Sequence, residues 1–285
     1  MKVEQLYTGC LSEAAYYIES EGEIAIIDPL RETEPYMELA EKNNAKIKYI
    51  FETHFHADFV SGHVDQAKKT GATIVYGPAA ETGYDSHIAS DGEIFEIGKV
   101  KIKVLHTPGH TPESSTYLLY DEDGKEYAIF SGDTVFIGDV GRPDLAISSD
   151  LTEMDLAGML YDSIWNKIMP LPDHVLVYPA HGAGSLCGKN MSSDTYSTLG
   201  EQRRTNYALQ EMSKEDFVKE VTTGIPAAPQ YFPKNAAINK GGYSDIDEVM
   251  AKGSVALNAE KFDELRSEGI LVLDGRDRNE FATDH

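Results

Sequence analysis

Residues 54–59 read HFHADF and come just after the apolar run IKYIFE, residues 47–52, with Thr53 between. A run of that length and composition predicts a buried strand, which places HFHADF on the loop at its carboxyl end. His54 and His56 stand two apart and Asp58 two further on, so imidazole, imidazole and carboxylate alternate at metal-ligand spacing. The next residue, Phe59, offers no lone pair where another ligand would fit.

The same arrangement recurs down the chain. His110 lies in HTPGHTPES, where Pro108 and Gly109 force a tight turn after the alternating run KVKIKVL. Asp133 lies in FSGDTVF and His181 in YPAHG, each immediately past an apolar strand. Ligand-type residues gathered at strand ends suit a layered α/β protein whose loops build a site along one edge. Neutral imidazole with carboxylate suits Zn, Fe(II) or Mn(II), and no cysteine pair is placed to make a structural zinc site. His63, His87 and His174 read as surface or satisfied core histidines.

Around these motifs, AAYYIES and EIAIIDP pair across Glu21-Gly22, EIFEIG and KVKIKVL across Gly98-Lys99, and SSTYLLY and KEYAIFSGD across DEDG. Helices are expected over 33–42, over 60–70 with Gly71 closing, over 151–169 with Thr152 and Asp155 near the start, and around 198–211 and 213–223. Residues 224–243, GIPAAPQYFPKNAAINKGGY, read as a linker or extended arm. Beyond it, ILVLD (270–274) reads as a buried strand preceded by a helix, without the crossover and partner that a parallel strand needs.

Composition bounds the rest. The chain has 285 residues, 41% of them hydrophobic, and a formal charge of −23. That balance repels phosphate backbones, so nucleic-acid binding is not expected. No apolar run approaches a membrane span. With two cysteines 177 positions apart, Cys10 and Cys187, and no leader pattern, a reducing cytoplasm is expected.

THFHAD, TPGHT, SGDT and PAHG, in this order and at these intervals, resemble the metallo-β-lactamase superfamily over about residues 1–235. The resemblance implies an αββα sandwich. Within that superfamily, SGDTVFIGDVGRPDL and STLGEQRRTN resemble persulfide dioxygenases of the type fused to rhodanese-like domains, and LVLDGRDRNEF resembles the opening of a rhodanese domain. Residues 236–285 are therefore expected to be a linker and the incomplete start of a rhodanese-like α/β domain. No cysteine follows Cys187, so sulfurtransferase activity is not expected of it.

The resemblance implies one Fe(II) per chain, held by His54, His110 and Asp133 as metal ligands and catalytic residues. His56, Asp58 and His181 are then expected to orient the ligands, and Arg142 and Asp144 to pair and fix the loop after Asp133. Dinuclear relatives of the glyoxalase II type carry HxHxDH, and Phe59 takes the place of their last histidine. The implied reaction converts a low-molecular-weight thiol persulfide, of the glutathione, bacillithiol or coenzyme A type, with O₂ and water to thiol and sulfite. The loop 183–192 and Lys189, Cys187, Arg203 and Arg204 are expected beside the organic part of the substrate. A homo-oligomer is expected. The competing readings are a two-metal thioester hydrolase and a sulfur-carrier or docking module.

Overall fold

The computed structural model describes residues 1–283, and the chain divides into two units, Met1–Tyr243 and a second beginning at Ser244. In the first unit, β1 (Lys2–Thr8), β2 (Glu13–Ser20), β3 (Glu23–Ile27), β4 (Lys46–Phe51), β5 (Thr73–Tyr76) and β6 (His87–Ile88) form one sheet in that order. The pairs β1–β2 and β2–β3 are antiparallel, and β3 through β6 run parallel. Helix α1 (Glu34–Lys42) makes the crossover from β3 to β4, and α2 (His63–Thr70) that from β4 to β5. Gly71 ends α2 in the left-handed conformation, as a glycine C-cap does.

The second sheet takes β7 (Ile94–Ile97), β8 (Val100–His106), β9 (Ser115–Tyr120), β10 (Glu126–Gly132), β11 (Leu176–Pro179) and β12 (Ser197–Thr198), also in chain order. Only β10–β11 is parallel, and α3 (Glu153–Ser163) with its π-helical extension Ile164–Ile168 supplies that crossover. Thr152 and Asp155 form a reciprocal capping box at its start. Helices α4 (Leu199–Thr205), α5 (Lys214–Thr222) and α6 (Phe232–Gly241) follow.

Alternation along the strands dictates three apolar layers. In β8, Val100, Ile102 and Val104 point inward while Lys101 and Lys103 point away. They meet Tyr16, Ile27, Phe51, Tyr117 and Phe130 between the sheets. Tyr17, Ile26 and Ile50 pack on Tyr36 and Ala40 of α1, and Leu118, Ile129 and Val177 pack on Leu160 and Phe217 of α3 and α5. Each such side chain contributes about 1.5–3 kcal/mol on burial, so the layers outweigh any single local propensity. This is the αββα sandwich.

Two expectations fail. The stretch 224–243 is not simply a linker: 232–241 is helix α6, with Phe232 and Asn239 buried in the first unit. Pro233 sits in its first turn, where a missing N–H costs nothing. The first unit therefore runs to Tyr243. In the second unit, α7 (Ile246–Gly253), α8 (Ala259–Ser267) and α9 (Arg278–Thr283) bury no side chain. Residues 270–274 form no strand there, and Leu271 and Leu273 are 80% and 83% exposed. No described strand lies alongside to pair with them. The last two residues of the rhodanese-like reading, 284 and 285, lie outside the described residues. Among the described residues no helix is long and apolar enough to cross a membrane.

Candidate metal centre

The carboxyl ends of β3, β4, β8, β10 and β11 converge, and the loops leaving them carry Asp28, Glu52 to Asp58, His110, Asp133 and His181. Backbone bonds tie these loops together: Asp28 N donates to Phe51 O, Ser115 N to Thr53 O and Ala180 N to Gly132 O. Gly132 has φ of +53°, and a Cβ there would lie 2.6 Å from that of Thr53. Only glycine lets β10 approach the histidine loop this closely.

His54, His110 and Asp133 come together, each offering one ligand atom within 4.8 Å of the others, and all three are buried. Asp133 Oδ2 lies 3.3 Å from His110 Nε2 and 3.8 Å from His54 Nε2. The hydrogen bonds behind the imidazoles fix their tautomers. His110 Nδ1 is 2.8 Å from the carbonyl of Arg142, which can only accept, so Nδ1 carries the proton. Thr53 Oγ1 donates its single proton to Asp28 Oδ2 at 2.7 Å, so His54 Nδ1, 3.0 Å away, must donate to Thr53. Both Nε2 lone pairs are thereby left facing Asp133.

Charge agrees with this arrangement. Burial, then the neighbouring His56 ring, hold His54 well below the usual histidine range, the neutral form that ligates. Burial would raise Asp133, but the His181, His110 and His54 rings outweigh it and keep the carboxylate ionised far below its ordinary range. Asp133 Oδ2 is buried and accepts no hydrogen bond. Two imidazole lone pairs and one orphaned carboxylate oxygen on a common point fit a divalent cation.

Asp133 Oδ1 turns the other way, to His181 Nδ1 at 2.8 Å, and His181 Nε2 lies 2.8 Å from Asp58 Oδ2. Flanked by two carboxylates, His181 is raised well above its usual range although burial alone would lower it. His56, Asp58 and His181 also offer ligand atoms within 4.8 Å of one another. Phe59 lies beside this second group, its ring centroid 4.4 Å from that of His56. Arg142 pairs bidentately with Asp144 at 2.6 Å and donates to the carbonyls of Leu186 and Pro226, anchoring the loop whose carbonyl orients His110.

Several residues expected beside the substrate are engaged elsewhere. Lys189 Nζ donates to the carbonyls of Glu220 and Thr223, Arg203 binds Asp173 and the carbonyls of Met169 and Leu171, and Arg204 pairs with Glu201. Each cation is spent on its own neighbourhood, and none lines the cavity at the triad. Cys187 is buried with Ala57, Phe136 and Phe232, and its sulfur falls within 4.8 Å of ligand atoms of Asp133 and His181. Burial, then Asp58 and Asp133, push its thiol up, so it stays protonated. The loop 183–192 does not line that cavity; its Gly184, Ser185 and Leu186 line a smaller one with Asp58 and Phe232. The larger cavity, about 510 Å³, reaches His110 and is walled by Phe55, Ala57, Leu145, Phe232, Ala236 and Ala237.

Sequence reading missed Asp28, Glu52 and Asn239. His56 Nε2 lies 3.1 Å from Asp28 Oδ1 and 3.8 Å from Glu52 Oε2, so both acids flank the histidine loop from beneath. Each is an acidic residue ending an apolar strand, the pattern that singles out Asp133. Asn239 Nδ2 donates to the carbonyls of His56 and Phe59, and its Oδ1 accepts from Ser61 N. Only the tertiary fold brings α6 to that loop, so no local pattern marks Asn239.

Known proteins resemble the chain over the unit that carries this centre. The metallo-beta-lactamase superfamily profile matches residues 8–181. The human mitochondrial persulfide dioxygenase ETHE1 is 32% identical over 199 residues, 69% of this chain and 70% of that protein. A probable hydroxyacylglutathione hydrolase of Schizosaccharomyces pombe is 31% identical over 182 residues, 62% and 66% respectively. A metallo-beta-lactamase structure from Staphylococcus aureus subsp. aureus COL superposes with TM-score 0.79 at 35% identity, covering 85% of this chain and 73% of that one. ETHE1 from Myxococcus xanthus gives 0.71 at 26% identity, covering 85% and 99%. The sandwich, the strand-end histidines and aspartates, and the match across 8–181 agree: the chain belongs to the metallo-β-lactamase superfamily.

Proposed function

We propose that this protein is a mononuclear non-haem Fe(II) persulfide dioxygenase that converts a low-molecular-weight thiol persulfide, with O₂ and water, to free thiol and sulfite, in sulfide detoxification. In balance, R–S–SH + O₂ + H₂O gives R–SH + SO₃²⁻ + 2 H⁺; the terminal sulfur is oxidised, O₂ is reduced and the S–S bond breaks. The observation that carries the reading is the triad of His54 Nε2, His110 Nε2 and Asp133 Oδ2, set beside a second donor group whose neighbour is Phe59. The triad would hold Fe(II) with positions left open, and that ion would supply the redox chemistry that zinc lacks.

The chain's own residues do the rest. Thr53 and the Arg142 carbonyl hold the imidazole protons at Nδ1, so both Nε2 atoms stay available. His181 holds Asp133 Oδ1, leaving Oδ2 to face the two rings. Phe55, Ala57, Leu145 and Phe232 give the space beside His110 an apolar wall. The glutathione, bacillithiol and coenzyme A types of persulfide are all candidate substrates.

The test is metal content and oxygen uptake on protein purified without added metal. About one iron per chain and O₂ consumption on adding a persulfide are expected. Asp133→Ala is expected to lose at least about tenfold of bound iron and turnover while keeping its far-UV dichroism, because it removes the only anionic donor of the triad. Two zinc ions per chain with hydrolysis of a hydroxyacylglutathione would instead favour the thioester hydrolase, a reading supported by the second donor group and by the fission-yeast relative. A loaded iron protein that consumes no O₂ with any persulfide would sink the dioxygenase.

A further inference from the structure

Two cavities approach the centre, and one side chain belongs to both. The larger, about 510 Å³, reaches His110 along apolar walls. The acids in its lining are answered: Glu113 Oε1 accepts from Phe55 N, and Asp144 is paired bidentately with Arg142. The smaller, about 130 Å³, opens to solvent. Cys10, Leu11, Leu186 and Tyr231, all exposed, form its rim, while Asp58 and Phe232, nearly buried, form its floor. Phe232 lines both spaces, and the consecutive residues Ala57 and Asp58 line one each.

The small cavity is polar at the point where it nears the centre. Asp58 Oδ2 lies 2.8 Å from His181 Nε2, and His181 Nδ1 lies 2.8 Å from Asp133 Oδ1, so the floor is joined to a residue of the triad. Asp58 Oδ1 is buried and accepts no hydrogen bond from the protein. Burial would raise Asp58, but the His181 ring outweighs it and holds the carboxylate below its ordinary range, an ionised group that can only accept. A buried acceptor left over in this way is satisfied by water. At about 30 Å³ for each molecule, the cavity has room for about four waters, too little for the organic part of a thiol. The reaction written above consumes water, and the apolar cavity is closed to it once the organic arm of a persulfide fills that space.

Resting on the dioxygenase reading above, we propose that the small cavity is the port by which water reaches the centre, with Asp58 as its inner acceptor and Phe232 as the partition that keeps it apart from the persulfide. The two reactants then arrive from different sides, and neither has to leave for the other to enter.

The experiment plugs the port from outside. Cys10 is exposed and Cys187 buried, so a maleimide added to the folded, full-length chain attaches at Cys10. The chain is loaded with Mn(II), which imidazole and carboxylate also suit, and exchange of water at the ion is read from water-proton relaxation. Pyrene maleimide is expected to slow that exchange about fivefold or more, whereas the small methylthio adduct left by methyl methanethiosulfonate changes it by less than about twofold. Phe232→Ala joins the two cavities and is expected to bring exchange in the pyrene-labelled chain back to within about twofold of the unlabelled one. Phe232→Leu is expected to recover part of it and decides the matter should the alanine variant fail to fold. Exchange unmoved by the pyrene adduct, or no exchangeable water at the ion in the unlabelled chain, overturns the port while leaving the dioxygenase standing. No recovery in a folded Phe232 variant refutes the partition. Exchange slowed by the pyrene adduct, with no O₂ uptake from any persulfide by the unlabelled iron-loaded chain, upholds the port and defeats the dioxygenase instead.

Discussion

Phe59 and His63 show how single side chains set the character of this centre. His56, Asp58 and His181 already sit within ligand distance of one another, and the ring of Phe59 lies over His56. Phe59→His adds a fourth donor, so metal analysis after saturation with zinc is expected to rise from about one to about two ions per chain. An unchanged count would show that Phe59 is not what limits the second group. His63 is buried among Tyr76, Tyr84 and Tyr243, with its Nδ1 3.4 Å from Glu52 Oε1, and burial, then the neighbouring His56 ring, lower it from the ordinary 6.5 to about 3. A depressed folded pKa means stability that is whole above the unfolded value and lost as pH falls from about 6.5 toward 3. At pH 5 that loss is about 2 kcal/mol. His63→Phe keeps an aromatic ring against its neighbours and removes the titration. Its denaturation midpoint is therefore expected to fall less on acidification than that of the parent, with the gap opening below pH 6.5; parallel pH profiles would refute this.

Among the elements, α6 separates what could be read locally from what could not. The strands announce themselves by alternation, α2 by its terminal Gly71 and α3 by its capping box, because those signals lie within the element. Likewise His54, His110, Asp133 and His181 are legible because each follows its strand directly. Helix α6 is ambiguous in sequence: Pro233 in its first turn and Gly242 at its end fit a helix, but the same proline, glycine and asparagine mark a linker, and packing against the histidine loop decides for the helix. The cavity wall was illegible for the same reason, since Ala236 and Leu145 are far apart in sequence and share a space only in the fold. The arginines misled because composition shows a charge but not its partner. The link from α6 to the centre is Asn239, fully buried and bonded to the backbone of His56, Phe59 and Ser61. Asn239→Ala leaves two carbonyls and one N–H without partners in the interior, at about 1–3 kcal/mol each when unrelieved. A loss of about 2–4 kcal/mol in denaturant unfolding is expected. Faster hydrogen exchange at Ser61 and weaker metal retention should accompany it. Retention at the parent level would mean the loop holds its shape without α6.

At the scale of the molecule, the boundary between the two units decides which part of the chain the centre depends on. The extent of the family resemblance places it near residue 235, inside α6, whereas the fold places it after Tyr243. The difference is physical. Tyr243 Oη donates to the carbonyl of Ser61 and accepts from Val64 N, and its ring faces Arg31 at 4.5 Å, so the first unit is closed by the residues just beyond α6. The second unit buries no side chain in its helices, and the apolar run Ile270–Leu273 stays exposed without a strand to pair with, so it makes no core of its own among the described residues. A chain ending at Tyr243 is therefore expected to keep the thermal midpoint within about 2 °C and the full metal content of the 285-residue protein. A chain ending at residue 235 loses Asn239, Tyr243 and most of α6, and with them five polar contacts to the histidine loop and its neighbours Ser61 and Val64. It is expected to lose several degrees of thermal stability and most of its metal. Should the two truncations behave alike, the histidine loop would owe its geometry to the sheets alone, and α6 would be a wall of the cavity without being a support of the centre.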